Sequence, residues 1–92
     1  MLVHNQNCAN AEFGEYYVKD NGVTVRVIPG EGEGQVSHNL PHAHVTGNGP
    51  DTTVGMNMTP MKGHPALSQK QMRIINKHWN YIEVLISKVW RK

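Results

Sequence analysis

The sequence lacks the features that would hold a fold together covalently or carry it across a bilayer. Cys8 is the only cysteine among 92 residues, so no disulfide can form within the chain. No apolar run approaches the ~20 residues of a membrane span, and no signal-peptide pattern of basic residues before an apolar stretch is present. The Gly-rich run at residues 30–34 alternates with glutamates, which would repel phosphate, and its spacing matches no nucleotide-binding loop. We therefore expect one small domain without crosslinks, whose export would be supplied by an upstream region.

Charge is close to balanced over the whole chain but is distributed unevenly. The net charge is +2, with −4 in residues 1–61 and +6 in residues 62–92. A basic third on one structural element can attract phosphate groups. The alternative interpretation is a solvated helix face that ends in a basic tail.

The first half of the chain predicts β-strands. Residues 16–18 and 23–28 are rich in β-branched and aromatic side chains, and Asn21-Gly22 between them is a strong hairpin signal. Val23, Val25 and Val27 should share one face of their strand. Residues 43–46 and 51–54 are the third and fourth predicted strands. Residues 1–14 lack periodicity, so we expect them to be a linker and residues 15–92 to be the folded domain.

The C-terminal segment predicts a helix. Ser68 is a natural N-cap, and Gln71 three residues later completes a capping box. Apolar residues then recur at steps of three and four, which predicts a single helix of some five turns: Met72, Ile75, Trp79, Ile82, Ile86 and Val89. Strands followed by a long helix indicate an α+β fold, in which a small antiparallel sheet of about four strands packs on one long C-terminal helix.

Histidine is the residue type that points to chemistry, with six in the chain. His42 and His44 are two apart on the third strand, so their side chains should project from the same face, with Ala43 and Val45 facing the core. Pro41 suits the first residue of an edge strand, because it cannot donate to a ladder. His78, beside Trp79 in the helix, is expected to be half-buried and structural.

Two adjacent imidazoles can share general acid–base catalysis of RNA cleavage. A neutral histidine takes the proton from the ribose 2′-hydroxyl, and a protonated histidine gives a proton to the leaving 5′-oxygen. Both forms coexist near neutral pH, because imidazole ordinarily has a pKa of about 6.5. Charge on the phosphoryl oxygens then needs a cation, for which Lys62 and Arg73 are candidates, and the Thr53 hydroxyl could orient the phosphate. Further contacts to the RNA are expected from Lys70 and Lys77, which share one side of the helix with Arg73. This mechanism requires no metal or other cofactor.

Two other uses of the histidines remain open. His-x-His on a strand offers two ligands to one metal ion, and a hydrolytic zinc site would take a third from Asp51, His64 or His38. Alternatively, the histidines merely decorate an edge strand, or the domain binds nucleic acid or a partner protein through the basic helix without catalysis.

The motifs resemble the C-terminal toxin domains of bacterial polymorphic toxins of the YD-repeat and contact-dependent-inhibition types. The resemblance spans residues 38–92 and rests on Pro41-His42-Ala43-His44-Val45, on residues 51–63 and on the Leu67-Ser68 helix start. The run Leu2-Val3-His4-Asn5 is similar to the junction at which the delivery scaffold of such toxins ends. The chain departs from the family pattern at Met58, where the family has glycine, and at His64, where it often has an acid.

The resemblance implies a function and a site. It implies a secreted or surface-delivered toxin that is part of a larger protein and acts in the cytoplasm of the target cell, with His42, His44, Asn57 and Lys62 as the site. The expected partners are RNA, with tRNA among the candidates, and a cognate immunity protein that binds the monomeric toxin in a 1:1 complex.

Overall fold

The computed structural model describes residues 11–29 and 41–90, which form one antiparallel sheet and two helices. The strands are β1 (Ala11–Gly14), β2 (Tyr17–Asp20), β3 (Val23–Arg26), β4 (His42–Thr46) and β5 (Thr52–Gly55), and the helices are α1 (Gln69–Lys77) and α2 (Trp79–Trp90). Each strand pairs with the next one along the chain, so the sheet order is β1-β2-β3-β4-β5. The α+β prediction is confirmed. Neither helix has the length and apolar character needed to cross a membrane.

The turn between β2 and β3 has the predicted chemistry. Asn21 and Gly22 are its two central residues, and both have positive φ, at 52° and 82°. These values match a two-residue hairpin turn whose twist suits the flanking strands. The side chain of Asn48 donates to the carbonyl of Asn21 at 2.6 Å, which ties this hairpin to the turn after β4.

The core lies between the two helices and one face of the sheet. Strand residues on this face are fully or almost fully buried, and helix side chains pack against them: Val18, Val23, Val25, Val27, Ala43, Val45 and Val54 from the sheet side, and Ile74, Ile75, Ile82, Leu85 and Ile86 from the helices. The predicted inward positions of Ala43, Val45 and the three valines of residues 23–27 are confirmed. The alternate residues of these strands project from the opposite face, away from the core.

The predicted single helix is divided in two, with the break at His78. The capping box at Ser68 and Gln71 is present, but His78 has φ −114° and ψ 21° and is the C-cap of α1. Its ring nitrogen Nε2 lies 2.8 Å from Asp20 Oδ2, so a contact to β2 accompanies the break. The prediction that Met72 belongs to the buried stripe is wrong, because this residue is 45% exposed.

The sheet has one strand more than expected, and its edges differ from the prediction. β1 pairs with β2 within the segment expected to be linker. β4 lies between β3 and β5, so the expectation of an edge strand after Pro41 is wrong. Because β4 begins at His42, the missing N–H of Pro41 removes no hydrogen bond from the ladder. The outer side of β5 is covered in part by residues 59–61, through Gly55 N–H to Thr59 O and Met61 N–H to Thr53 O, both 3.0 Å.

Several predictions concern residues outside the described ranges. These are the junction at Leu2–Asn5 with Cys8, the Gly-rich segment at residues 30–34, the possible metal ligand His38, and the basic residues 91 and 92.

Candidate functional site: a polar row on the sheet face opposite the helices

A row of polar side chains crosses the face of the sheet opposite the helices. Tyr17 is directly opposite Arg26, Arg26 is opposite His44, and His44 is opposite Thr53. Residues directly opposite in an antiparallel pair share a face, with Cβ atoms about 5 Å apart. The Tyr17 hydroxyl donates to Glu12 at 2.7 Å, and this hydrogen bond raises the pKa of Tyr17 above its usual value. The remaining three residues place a cation, an imidazole and a hydroxyl side by side.

The two histidines of β4 project from the same face, as predicted. The ring centroids of His42 and His44 are 5.0 Å apart, with an interplanar angle of 76°. At this distance the rings are in edge-to-face contact. The His42 ring also contacts Trp90 at the end of α2, with centroids 4.9 Å apart. His42 therefore lies between His44 and an indole.

A groove of about 280 Å³ opens beside His44, on the side away from His42. Its walls include Arg26, His44, Thr53 and His64, together with Val45, Thr46, Asp51 and Thr52. This volume is slightly below the range of pockets that hold drug-sized ligands, which begins at about 300 Å³. A small polar group is therefore a better match in size than a complete larger cofactor.

The hydroxyl of Thr53 distinguishes this groove from an ordinary surface depression. Thr53 is only 7% exposed, and its Oγ1 is buried without a hydrogen-bond partner among the described residues. Its neighbour Thr52 is buried to the same degree but donates to the carbonyl of Pro65 at 2.6 Å. A buried hydroxyl without a partner is costly, and this one belongs to a residue that lines the groove. The predicted role of Thr53 in orienting a phosphate is compatible with this position.

His64 is held at the groove by the backbone on both sides of it. Its N–H donates to Met61 O at 3.0 Å, which closes a turn over Lys62 and Gly63. Gly63 has φ 86°, a conformation that glycine adopts without strain. On the other side, the carbonyl of Pro65 accepts the hydrogen bond from Thr52. Met61 N–H to Thr53 O before His64 and the Thr52 hydroxyl to Pro65 O after it thus anchor this segment to β5 twice.

Two residues that the family resemblance placed in the site have other surroundings. Asn57 Oδ1 accepts hydrogen bonds from the N–H and the hydroxyl of Thr59, at 3.2 and 2.8 Å, so the side chain stabilises the turn after β5. Lys62 is exposed in the turn before His64 and does not line the groove. Met58 has φ 66°, in the left-handed region where the family pattern has glycine. The tight turn is therefore retained despite the methionine.

The basic residues of α1 lie in the helical layer, across the sheet from the histidines. Lys70 and Arg73 line a cavity of about 40 Å³ beside Asn21 and Val23 at the hairpin turn. Lys77 forms an ion pair with Asp20 at 3.1 Å. The structure therefore does not bring these three residues together with His42 and His44.

The Asp20–His78 pair is a structural contact beneath the helices. Asp20 is 1% exposed and accepts hydrogen bonds from His78 and Lys77. Burial raises the pKa of the Asp20 carboxyl, but the hydrogen bonds from His78 and Lys77 outweigh it, so the pKa lies below its usual value of 3.8. Phe13 covers the ring of His78 edge-on, with centroids 5.3 Å apart. The expectation of a half-buried, structural His78 agrees with these contacts.

The ligands expected for a metal site lie in different parts of the chain. Within residues 11–29 and 41–90, no three His, Cys, Asp or Glu side chains form a group that could hold an ion. Asp51 and His64 line the groove with His44, whereas His42 does not line it. The third candidate ligand, His38, lies outside the described residues.

Arg26 is the residue of this site that sequence reasoning missed. Its position on the outward face of β3 was predictable from strand alternation. Its position beside His44 depends on the register between β3 and β4, which are separated by the segment of residues 27–41, and this register was not predictable from the sequence. Comparisons of the chain with protein-family models, curated proteins and solved structures give no significant match. The site is therefore interpreted from its own geometry.

Proposed function

We propose that this chain is the toxin domain of a bacterial polymorphic toxin and acts as a metal-independent ribonuclease. The observation that carries the proposal is the row of Arg26, His44 and Thr53, with a second histidine in contact with His44 and a third in the same groove. The sequence resemblance to polymorphic toxin tails supports the biological context of delivery into a target cell.

The chemistry assigned to this row is cleavage through the ribose 2′-hydroxyl. One histidine accepts the 2′-hydroxyl proton, the 2′-oxygen attacks phosphorus, and the bond from phosphorus to the 5′-oxygen breaks as a protonated histidine donates to that oxygen. The products are a 2′,3′-cyclic phosphate and a 5′-hydroxyl end. Only RNA carries the attacking group, so RNA is the proposed substrate, with tRNA among the candidates.

Arg26 takes the part of the cation that sequence reasoning gave to Lys62 and Arg73. Its guanidinium presents a planar set of donors suited to phosphate oxygens, and its neighbour across the strands is His44. Negative charge that develops on the phosphoryl oxygens would be stabilised where it forms. A cognate immunity protein is proposed to neutralise the toxin by covering this face in a 1:1 complex.

The test is to incubate the purified domain with total RNA in EDTA. The proposal predicts cleavage that EDTA does not prevent. Intact RNA, with cleavage restored by zinc or manganese, would instead favour the metal-dependent nuclease. Growth inhibition that survives His44→Ala in expressing cells would favour the non-catalytic binding module.

Two arginines provide a matched pair for this test, because both are exposed but only one is beside His44. Arg26→Ala is expected to lower kcat about 100-fold, the usual cost of removing a transition-state donor. Arg73→Ala, on the other side of the sheet, is expected to change kcat less than about threefold, since exposed substitutions away from a site have small effects. Equal losses in the two variants would contradict the placement of the site.

A further inference from the structure

The contact between His42 and His44 raises a geometric difficulty for the simplest two-histidine mechanism. In phosphoryl transfer the attacking and leaving oxygens are roughly in line on opposite sides of phosphorus. The base and the acid must therefore approach from opposite sides of the phosphate. Two rings in edge-to-face contact, with centroids 5.0 Å apart, leave no space for a phosphate between them.

His64 does not have this difficulty. Its segment follows residues 59–61, which run beside the outer edge of β5, and β5 separates that segment from β4. Neighbouring strands are about 4.8 Å apart, so the backbone of residues 59–61 lies about 10 Å from that of His44. His44 and His64 both line the groove, whereas His42 does not.

The residue between these two histidines is Thr53. It is opposite His44 in the ladder, and its carbonyl accepts the N–H of Met61 in the segment that leads to His64. Its buried Oγ1 has no partner among the described residues, although the residue is more than nine-tenths buried. A rotation about χ1 that turns Oγ1 into the groove would let a phosphate oxygen accept its hydrogen bond, and such charge-assisted bonds are the stronger kind.

We propose that His44 and His64, not His42 and His44, are the acid–base pair, and that they act on a phosphodiester held between them by Thr53 and Arg26. This inference rests on the proposed ribonuclease function and specifies its site. One of the two accepts the proton of the 2′-hydroxyl, and the other donates a proton to the departing 5′-oxygen. The cleavage leaves each histidine in the protonation state opposite to its starting one, and exchange with water restores both.

His42 becomes a positioning residue in this arrangement. Its ring contacts His44 on one side and Trp90 on the other, so it can fix the orientation of the His44 ring without touching the phosphate. Its removal should alter the efficiency of His44 but should leave both proton-transfer groups in place.

The experiment compares His44→Ala, His64→Ala and His42→Ala in cleavage of a short fluorogenic RNA across pH. We expect His44→Ala and His64→Ala each to lower kcat/KM at least about 100-fold, within the usual contribution of a proton-transfer group. Each should remove one limb of the bell-shaped pH profile, and added imidazole should restore part of the activity. His42→Ala should cost less than about 10-fold and keep both limbs.

A uridine 3′-aryl phosphate then separates the acid from the base. Its leaving group needs no proton, so loss of the acid should have almost no effect on this substrate while loss of the base remains severe. Suppose that wild-type protein cleaves RNA, that His64→Ala retains both limbs of the pH profile and that His42→Ala loses one. This result would overturn the assignment of His64 but would remain consistent with the ribonuclease function. Wild-type protein that leaves RNA intact contradicts the proposed function itself and the proton-transfer roles with it.

Discussion

Replacing Thr53 with valine should stabilise the folded chain while it impairs cleavage. The substitution keeps the shape of the side chain in a β-strand, where valine is well tolerated. It removes a buried hydroxyl that has no partner among the described residues. The desolvation of such a group costs about 1–3 kcal/mol. Because Thr53 borders an open groove, we expect the lower value, a gain of about 1 kcal/mol in the free energy of unfolding.

Thr52→Val is the matched control, since Thr52 is the preceding residue of the same strand and is equally buried. Its hydroxyl does have a partner, the Pro65 carbonyl. Loss of this bond should cost about 1–2 kcal/mol. The two variants should thus differ by about 2–3 kcal/mol, which corresponds to at least about 8 °C between their melting temperatures in a domain of this size.

The assays are thermal unfolding by circular dichroism and cleavage of the fluorogenic RNA. If Thr53 holds the phosphate, Thr53→Val should lower kcat/KM about 10- to 150-fold, the equivalent of the 1.5–3 kcal/mol of a hydrogen bond to a charged group. A loss of stability as large as that of Thr52→Val would refute the reasoning, because it would mean that the Thr53 hydroxyl is satisfied within the folded chain.

Three further predictions concern the scaffold of the site. Stability should fall as the pH drops below about 3.8, because the Asp20 carboxyl has a lower pKa in the folded chain than in the unfolded one, and its contribution is lost as the pH falls through the folded value. The free energy of unfolding, measured with urea, should therefore depend less steeply on pH in Asp20→Asn than in the wild type over this range. The same dependence in both proteins would exclude Asp20 as the cause. Gly22→Ala should lower the free energy of unfolding by about 1–2 kcal/mol because φ of Gly22 is 82°. The added Cβ would also lie 2.7 Å from Asn48 Nδ2. An unchanged urea midpoint would contradict the left-handed conformation of this turn. Ser68→Ala should lower the free energy of unfolding by about 1–2 kcal/mol, because the N-cap hydrogen bond is lost. Ser68→Asp should restore most of this stability, since aspartate is also a good N-cap residue. Equal losses of stability in the two variants would contradict the capping role.

Local signals in the sequence were sufficient for most of the secondary structure. The Asn21-Gly22 turn, the Ser68–Gln71 capping box and the alternation around Val25 each depend on residues a few positions apart. β1 was missed because Ala11–Gly14 has no strand pattern of its own and forms a strand through pairing with β2. The break at His78 was missed for a similar reason, since the partner of its ring, Asp20, is 58 positions away in the sequence.

The candidate site was only partly predictable. Strand alternation was enough to place His42 and His44 on one face, and this geometry is present. Arg26 and His64 join His44 through the β3–β4 register and the path of the loop after β5, neither of which a single sequence specifies. Helical spacing grouped Arg73 with Lys70 and Lys77 but could not reveal that the helix lies across the sheet from the histidines.

The most direct test of the ribonuclease account is to identify the ends produced when wild-type protein cleaves a defined RNA in EDTA. Attack by the 2′-oxygen predicts 2′,3′-cyclic phosphate and 5′-hydroxyl ends, and a single 2′-deoxy substitution at the scissile nucleotide should abolish that cut. Fragments with 5′-phosphate ends, or undiminished cleavage at the 2′-deoxy position, would contradict the account.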